Sequence, residues 1–218
     1  MSAAAPSRQG PVESAALLEP ERKHVAALIA DVSGFTEFAE TIEPEILFQV
    51  IRDFHTVMGR AITREGGTVV NYGGDAMLVV FNGPIAVSDP ERRAVRTALG
   101  MRDGFLAHVV DWSKQGFRLG LRIGIEAGFV SLGTIGFPGR QELGVMGRAV
   151  NMAARLCAEA TIGSIFTSER LANELDGAFE LRPMGRLTPK GFSRPIAVVE
   201  ILSERDGGLK QDNDTGRL

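Results

Sequence analysis

The sequence predicts an α+β sandwich in which helices cover a largely antiparallel sheet. Short apolar runs typical of buried strands alternate with amphipathic helical stretches, and several strands follow one another through hairpin-like connections. Residues 25–30 form one continuous apolar strand, and residues 68–72 and 76–81 form a β-rich hairpin around a glycine-containing turn. Residues 44–65 carry apolar side chains three or four positions apart, as one face of a long helix does.

The remaining elements complete a single domain. Further helices are predicted over residues 89–109, 148–160 and 169–175, and further strands over 119–125, 129–135, 165–167 and 196–202. The compact domain covers residues 23–202. Polar and small residues at both ends of the chain predict a flexible leader or linker at 1–22 and a disordered tail at 203–218.

Composition excludes several classes of protein. The formal net charge is −3 and no basic patch with interleaved aromatics occurs, so nucleic acid is not expected as a partner. Cys157 is the single cysteine, which excludes an intrachain disulfide and favours a reducing compartment. No apolar run is long enough for a membrane-spanning helix and no signal peptide is visible, so we expect a cytoplasmic protein with no membrane segment in this chain.

Two aspartates are the first candidates for chemistry. Asp31 follows the first buried strand, and Asp75 lies in the hairpin turn. Carboxylates at strand ends beside glycine are rigid yet accessible, and two of them can hold a pair of Mg²⁺ ions that keep positions open for phosphate oxygens. The structural alternative is that Asp31 caps the following helix and Asp75 serves only the turn.

Amide and basic side chains form a second group. Asn151 and Arg155 share one face of the helix at 148–160, where an amide can hold a hydroxyl and a guanidinium can neutralise phosphoryl charge; the alternative is a solvated helix face. Lys190 stands beside a glycine on a loop and suits a terminal phosphate, although exposed loop lysines are common. Arg122 interrupts an apolar strand, so it needs an anion or an acidic partner if it points inward; the alternative is an edge or solvent-facing position.

The order of these features resembles the catalytic domain of the class III adenylate/guanylate cyclase family, bacterial type. The resemblance covers residues 23–202. It rests on ADVSGFT at 30–36, GGT at 66–68 leading to GDA at 74–76, LRIGI at 121–125, GRAVNMAARL at 147–156 and KG at 190–191. It implies a ferredoxin-like core and a head-to-tail homodimer with active sites at the interface. The implied reaction converts ATP to 3′,5′-cyclic AMP and pyrophosphate.

The resemblance also implies roles for individual residues. Asp31 and Asp75 match the aspartates that bind two divalent cations, Mg²⁺ or Mn²⁺, and Val32 matches a residue that lends its backbone carbonyl to one of them. Asn151 and Arg155 match the residues that the partner subunit supplies, the first to orient the ribose and the second to stabilise the transition state. A further set matches positions that contact the phosphates, namely Arg122, Lys190, Gly34, Phe35 and Thr36.

Two positions depart from the family pattern where the purine is selected. Adenylate cyclases typically carry a lysine at the position of Asn71 and an aspartate or threonine at the position of Gly144, whereas guanylate cyclases often carry glutamate and cysteine there. Purine choice depends on buried donors and acceptors that match the edge of the base. We expect a loose pocket that favours ATP. Phe129 and Met146 either line an apolar slot for the base or belong to the core.

Three other functions stay open. The first is a guanylate cyclase or a cyclase of relaxed purine choice. The second is a non-catalytic domain that binds nucleotide without turnover. A diguanylate cyclase is the third alternative, because Gly73-Gly74-Asp75 is similar to that family's hairpin; however, Ala76-Met77 follows instead of the Glu-Phe that completes its signature.

Overall fold

The computed structural model describes residues 18–113, 119–175, 177–188 and 194–205. These residues contain eight strands and five helices. The strands are β1 (Glu21–Ser33), β2 (Thr68–Gly73), β3 (Ala76–Phe81), β4 (Gly120–Phe137), β5 (Arg140–Met146), β6 (Ile165–Ser168), β7 (Phe179–Leu187) and β8 (Ile196–Glu204). The helices are α1 (Phe35–Thr41), α2 (Pro44–Glu65), α3 (Pro90–Ser113), α4 (Arg148–Glu159) and α5 (Glu169–Glu174). The predicted leader and tail fall largely outside the described ranges and stay predictions there. Where the two overlap the described ranges, β1 begins at Glu21 and β8 ends at Glu204, so the folded part extends two residues beyond the predicted domain at each end.

All eight strands belong to one sheet, in the order β2-β3-β1-β4-β6-β8-β7, with β5 paired to β4 off this path. Every pairing is antiparallel except that of β4 with β6. The central strand β1 pairs with β3 on one side and with β4 over its whole length on the other. The prediction of an α+β fold with a mainly antiparallel sheet is confirmed.

Helices cover both faces of the centre of the sheet. Alternate residues of β1, such as Leu28 and Ala30, join the larger core formed with α2 and α3, whereas Val25 and Ala27 join a smaller cluster that includes Ala149 of α4. A strand covered on both faces buries successive side chains, which explains why residues 25–30 are apolar without interruption. The alternation also puts Asp31 on the same face as Ala27, the face that α4 covers.

The ends of α2 agree with the sequence prediction. Pro44 occupies the first turn, where its missing N–H costs no hydrogen bond, and Gly66 ends the helix with a φ of 73° in the left-handed region. Within the described residues, each helix is too short or too polar to serve as a bilayer-spanning segment.

Apart from strand ends that extend beyond their predicted residues, as those of β1 do, the strands differ from the prediction in three places. The runs at 119–125 and 129–135 are parts of one long strand, β4. Its backbone continues through Gly128 without a break in the pairing with its neighbours. The strands β5 and β7 have no counterpart among the predicted elements. The strand β7 lies at the edge of the sheet, is largely exposed and contains Pro183 and Gly185, so it lacks the apolar pattern of a buried strand.

Candidate active site

Asp31, on β1, lies beside Asp75, which is in the turn at the end of the neighbouring strand β3. Asp31 is on β1 opposite Ala76, the residue that follows Asp75 in the turn between β2 and β3. The backbone N–H of Val32 donates to the carbonyl of Asp75 at 3.2 Å, which fixes the turn to the end of β1. Both aspartates are half-buried. The two aspartates are therefore diagonal neighbours at the end of adjacent strands, close enough for the charge of Asp31 to act on the Asp75 carboxyl.

The capping interpretation of Asp31 is wrong. The strand β1 does not stop before Asp31 but continues to Ser33, and Gly34 is the N-cap of α1, with a φ of 82° and no side-chain capping bond. The continuation was invisible to the apolar pattern because only the middle of β1 is fully buried. Asp75 does occupy the turn, directly after Gly74 at a φ of 72°. The carboxylate of Asp31 thus serves no helix.

Arg122 is the partner of Asp31. It lies directly opposite Asp31 on β4, and its Nη2 donates to Oδ2 of the Asp31 carboxylate. Arg122 therefore points inward to an acidic partner, which is one of the two alternatives that the sequence left open. The solvent-facing alternative is wrong. The Nε–H of Arg122 is buried and has no hydrogen-bond partner within the described residues. The guanidinium is therefore only partly satisfied by the protein.

Electrostatics at Asp75 favour a cation. Burial raises the pKa of the Asp75 carboxyl above its ordinary value, a backbone hydrogen bond lowers it, the neighbouring Asp31 charge raises it, and Arg122 lowers it. Burial and a nearby like charge both disfavour the ionised form. A positive ion placed between the two carboxylates would relieve both effects.

The two carboxylates fit divalent cations that arrive with a phosphate ligand. Within the described residues, no group of three or more His, Cys, Asp or Glu side chains could form a protein-only cage. Mg²⁺ is commonly held by one or two carboxylates together with substrate phosphates and water. Asp31 and Asp75 match that donor set, and Val32 adds a backbone carbonyl next to Asp31.

The chain turns directly from β1 into the segment predicted to contact phosphates. Gly34 adopts the left-handed conformation that the turn requires, and Phe35 and Thr36 begin α1. Phe35 is half-buried and packs on the larger core, which anchors the segment, whereas Gly34 and Thr36 are exposed. Backbone N–H groups in this turn therefore lie only a few residues beyond Asp31.

The helix α4 presents Asn151 and Arg155 to solvent. Its other face buries Ala149, Ala153 and Leu156, so the helix is held firmly while both polar side chains point away from the sheet. Asp31 of the same chain is bonded to Arg122 rather than to either of them. The two halves of the predicted site thus occupy different surfaces of one chain.

Gly124 of β4 allows α4 to approach the sheet closely. A Cβ at this position would lie 2.1 Å from the carbonyl oxygen of Ala153 and 2.3 Å from the backbone nitrogen of Cys157. Both atoms belong to the helix backbone, so the helix itself would have to move. The thiol of Cys157 also donates to the carbonyl of Arg122 at 3.3 Å, and burial raises the pKa of this thiol to about 12. The protonated thiol therefore joins α4 to the strand that carries Arg122.

We expect Gly124→Ala to lower the free energy of unfolding by about 1–3 kcal/mol, because overpacking forces α4 off the strand. Urea denaturation followed by circular dichroism measures the change. Gly59→Ala is the matched control: apart from its chain neighbours and the nearby backbone of α2 itself, no described atom lies within 4 Å of its Cβ position. That variant should gain roughly 0.5–1 kcal/mol from helix propensity. Equal stability of Gly124→Ala and the parent protein would contradict the packing described.

The two positions predicted to select the base lie on β2 and β5, strands that contact each other. Asn71 is exposed on β2, next to an irregularity in its pairing with β3. Gly144 is buried on β5, and a Cβ there would lie 2.7 Å from the side chain of Ile135. A larger residue at 144 would therefore displace Ile135. Phe129 and Met146 are 57% and 58% exposed, so the core interpretation of these two residues is wrong.

Lys190 lies outside the described residues, in the connection between β7 and β8. His55 on α2 was not singled out from the sequence: its Nε2 lies 3.1 Å from the carbonyl oxygen of Gly74, and its ring centroid is 4.6 Å from that of Tyr72. It braces the turn that carries Asp75. In the sequence, the only indication that His55 packs against another element was its position next to the apolar face of α2.

A cavity of about 450 Å³ lies away from the two aspartates, between α4, β4, β6 and β8. Its walls include Arg148, Arg170 and Arg186. Arg170 is paired with the buried carboxylate of Glu126 at 2.5 Å. The walls also include Glu169, so charges of both signs line this cavity, which borders β7 and β8.

Fold and site together define a nucleotide cyclase domain. The chain belongs to the adenylate and guanylate cyclase catalytic domain family, whose model matches residues 18–201. The diguanylate cyclase alternative is therefore wrong. An adenylate cyclase of Anabaena cylindrica is 31% identical over 189 residues, which cover 82% of this chain and 37% of the relative. The chain spans about a third of the length of the curated relatives it matches, from 28% to 37%.

Solved structures of both purine specificities share the fold. The adenylyl cyclase CyaB from P. aeruginosa has a TM-score of 0.82 at 29% identity, covering 87% of this chain and 98% of that one. A guanylyl cyclase has a TM-score of 0.79 at 28% identity, covering 87% and 97%. The predicted class III cyclase fold is confirmed, and the two comparisons do not separate ATP from GTP.

Proposed function

We propose that this domain cyclises a purine nucleoside triphosphate, ATP in preference to GTP, to its 3′,5′-cyclic monophosphate and pyrophosphate. The observation that carries the proposal is the pair of half-buried carboxylates, Asp31 and Asp75, joined through the Val32–Asp75 backbone hydrogen bond. Family membership supports the reaction class, and the intact set of matching residues argues against a domain that only binds nucleotide.

In the proposed mechanism, Asp31, Asp75 and the carbonyl of Val32 would hold two divalent cations, Mg²⁺ or Mn²⁺. When bound, such ions lower the pKa of a ribose 3′-hydroxyl and stabilise a leaving pyrophosphate. The 3′-oxygen bonds to the α-phosphorus as the bond from that phosphorus to the pyrophosphate oxygen breaks. The hydroxyl proton leaves through water or substrate. The segment from Gly34 to Thr36 positions the phosphates.

The second half of the site comes from a partner copy in a head-to-tail homodimer. Asn151 orients the ribose, and Arg155 offsets negative charge on the α-phosphoryl oxygens. Separately from this pair, Lys190 contacts the phosphates. The exposure of Asn151 and Arg155 on α4, in a chain whose own Asp31 is bonded to Arg122, supports a site shared between two chains. Each homodimer then carries two sites.

Base selection is weak in this proposal. Asn71 offers both a donor and an acceptor, and Gly144 offers only its backbone beside Ile135. A pocket without a buried charged or hydroxyl partner rejects the wrong purine poorly. The weak base selection favours a second candidate function, a cyclase of relaxed purine choice. It has the same reaction as the first candidate but accepts both ATP and GTP.

Product identification tests the proposal. Purified full chain is incubated with each of the four ribonucleoside triphosphates under Mg²⁺ and under Mn²⁺, and products are separated by chromatography. We expect cyclic AMP from ATP, cyclic GMP from GTP within about tenfold in kcat/KM, and no cyclic product from CTP or UTP. Nucleotide binding without pyrophosphate release would instead identify a non-catalytic nucleotide-binding domain.

A further inference from the structure

We propose that Arg122 couples cation binding to triphosphate binding, because its guanidinium holds the Asp31 carboxylate until a triphosphate offers it better acceptors. This inference rests on the proposed function. In this proposal Arg122 has two partners in turn. It binds Asp31 before substrate arrives and substrate phosphate afterwards, so it is more than a phosphate contact.

The first observation is that the guanidinium and a cation need the same carboxylate. Nη2 of Arg122 donates to Oδ2 of Asp31, across a directly opposed pair of residues on β1 and β4. A divalent ion bound at Asp31 would meet a positive charge within hydrogen-bonding distance of its ligand. Like charges at this separation repel strongly in a partly buried site. The guanidinium and the ion therefore compete for Asp31.

The second observation is that the guanidinium is not fully satisfied where it lies. The Nε–H of Arg122 is buried without a hydrogen-bond partner in the described part of the chain. A buried donor left unpaired is unfavourable, and a guanidinium has five N–H groups in a fork that matches phosphate oxygens. A triphosphate beside Asp31 would supply the missing acceptors. Arg122 therefore gains hydrogen bonds by exchanging Asp31 for phosphate.

The third observation is that only the side chain of Arg122 is free to make this exchange. Its carbonyl accepts a hydrogen bond from the thiol of Cys157, and its strand is paired with β1 on one side and β6 on the other. Gly124 further fixes β4 against α4. The exchange is therefore a rotation of the side chain around a fixed backbone.

Thermodynamic linkage gives the consequence. If a triphosphate draws Arg122 away from Asp31, triphosphate raises the affinity for cation, and cation raises the affinity for triphosphate by the same factor. Couplings of this kind are typically about 5-fold or more. Free Mg²⁺ or Mn²⁺ alone would bind weakly, so the cation site fills only when substrate is present.

Mn²⁺ binding to the full chain, followed by electron paramagnetic resonance of the free ion, tests this role without turnover. Affinity is measured with and without 3′-deoxy-ATP, which lacks the attacking hydroxyl and is supplied as its Mn²⁺ complex. In the parent protein we expect the analogue to tighten binding of additional Mn²⁺. In Arg122→Met we expect tighter binding without the analogue and a coupling ratio at least about fivefold smaller. Equal coupling ratios in the two proteins would overturn the inference.

Three further variants keep the result interpretable. Arg122→Lys retains the charge without the fork and should give an intermediate coupling ratio, which covers the case in which Arg122→Met does not fold. Arg60→Met removes an exposed positive charge from α2 and should change neither affinity. Asp75→Ala should lose Mn²⁺ binding; if it does not, the proposed function fails. If Asp75→Ala loses binding but Arg122→Met couples normally, only the role of Arg122 fails.

Discussion

Asp75→Ala should abolish cyclase activity while the domain stays folded. The substitution removes one of the two carboxylates at the site, and the several kcal/mol that bound metal ions contribute to the transition state correspond to a loss of at least about a thousandfold. Steady-state assays with ATP and Mn²⁺ measure the loss. Thermal unfolding should be nearly unchanged, because Asp75 lies half-buried in a turn where burial already disfavours its charge.

Asp53→Ala is the matched control for this substitution. Asp53 is exposed on α2 and contacts Gln49 at 2.8 Å, away from the two strands that carry the site. This variant should keep full activity. Substantial residual turnover by Asp75→Ala, in protein that unfolds like the parent, would refute the assignment of the cation ligands.

Mixing two inactive variants should restore activity. Asp31→Ala lacks a cation ligand and Arg155→Ala lacks the guanidinium supplied to the partner, so a heterodimer of the two keeps one complete site. Random pairing at equal concentrations makes half of the dimers heterodimers, each with one of two sites intact. The mixture should therefore recover about a quarter of the parent activity.

A second mixture controls for unspecific recovery. Asp31→Ala with Asp75→Ala cannot rebuild a site, because both lesions fall in the half that each chain supplies for itself. This mixture should stay inactive. If the first mixture also stays inactive although differently tagged chains copurify as heterodimers, the site is not shared between two copies.

The apolar pattern predicted most of the fold because buried elements leave a clear signal. The helix α2 matched residue for residue, with Pro44 and Gly66 at its ends. The edge strand β7 and the strand β5 were missed because exposure removes the need for apolar side chains. The long strand β4 was divided in two because Gly128 interrupts its apolar run.

Site residues could be predicted from the sequence only where a reactive side chain stands at an unusual place in the apolar pattern. Asp31, Asp75 and Arg122 stand out as charged residues among apolar strands, and their adjacency follows from the pairing of β1 with β3 and β4. The Asp31–Arg122 ion pair could not be predicted, because register is set by the whole sheet rather than by either strand. His55 was missed since its contact with the turn at Gly74 depends on how α2 packs.

The most direct test of the central claim is anomalous diffraction from crystals grown with Mn²⁺ and 3′-deoxy-ATP. The account predicts Mn²⁺ peaks in direct coordination with the carboxylates of both Asp31 and Asp75 and with the triphosphate, with Asn151 and Arg155 of a second chain facing the nucleotide. Bound nucleotide with Mn²⁺ peaks that contact neither aspartate would contradict it.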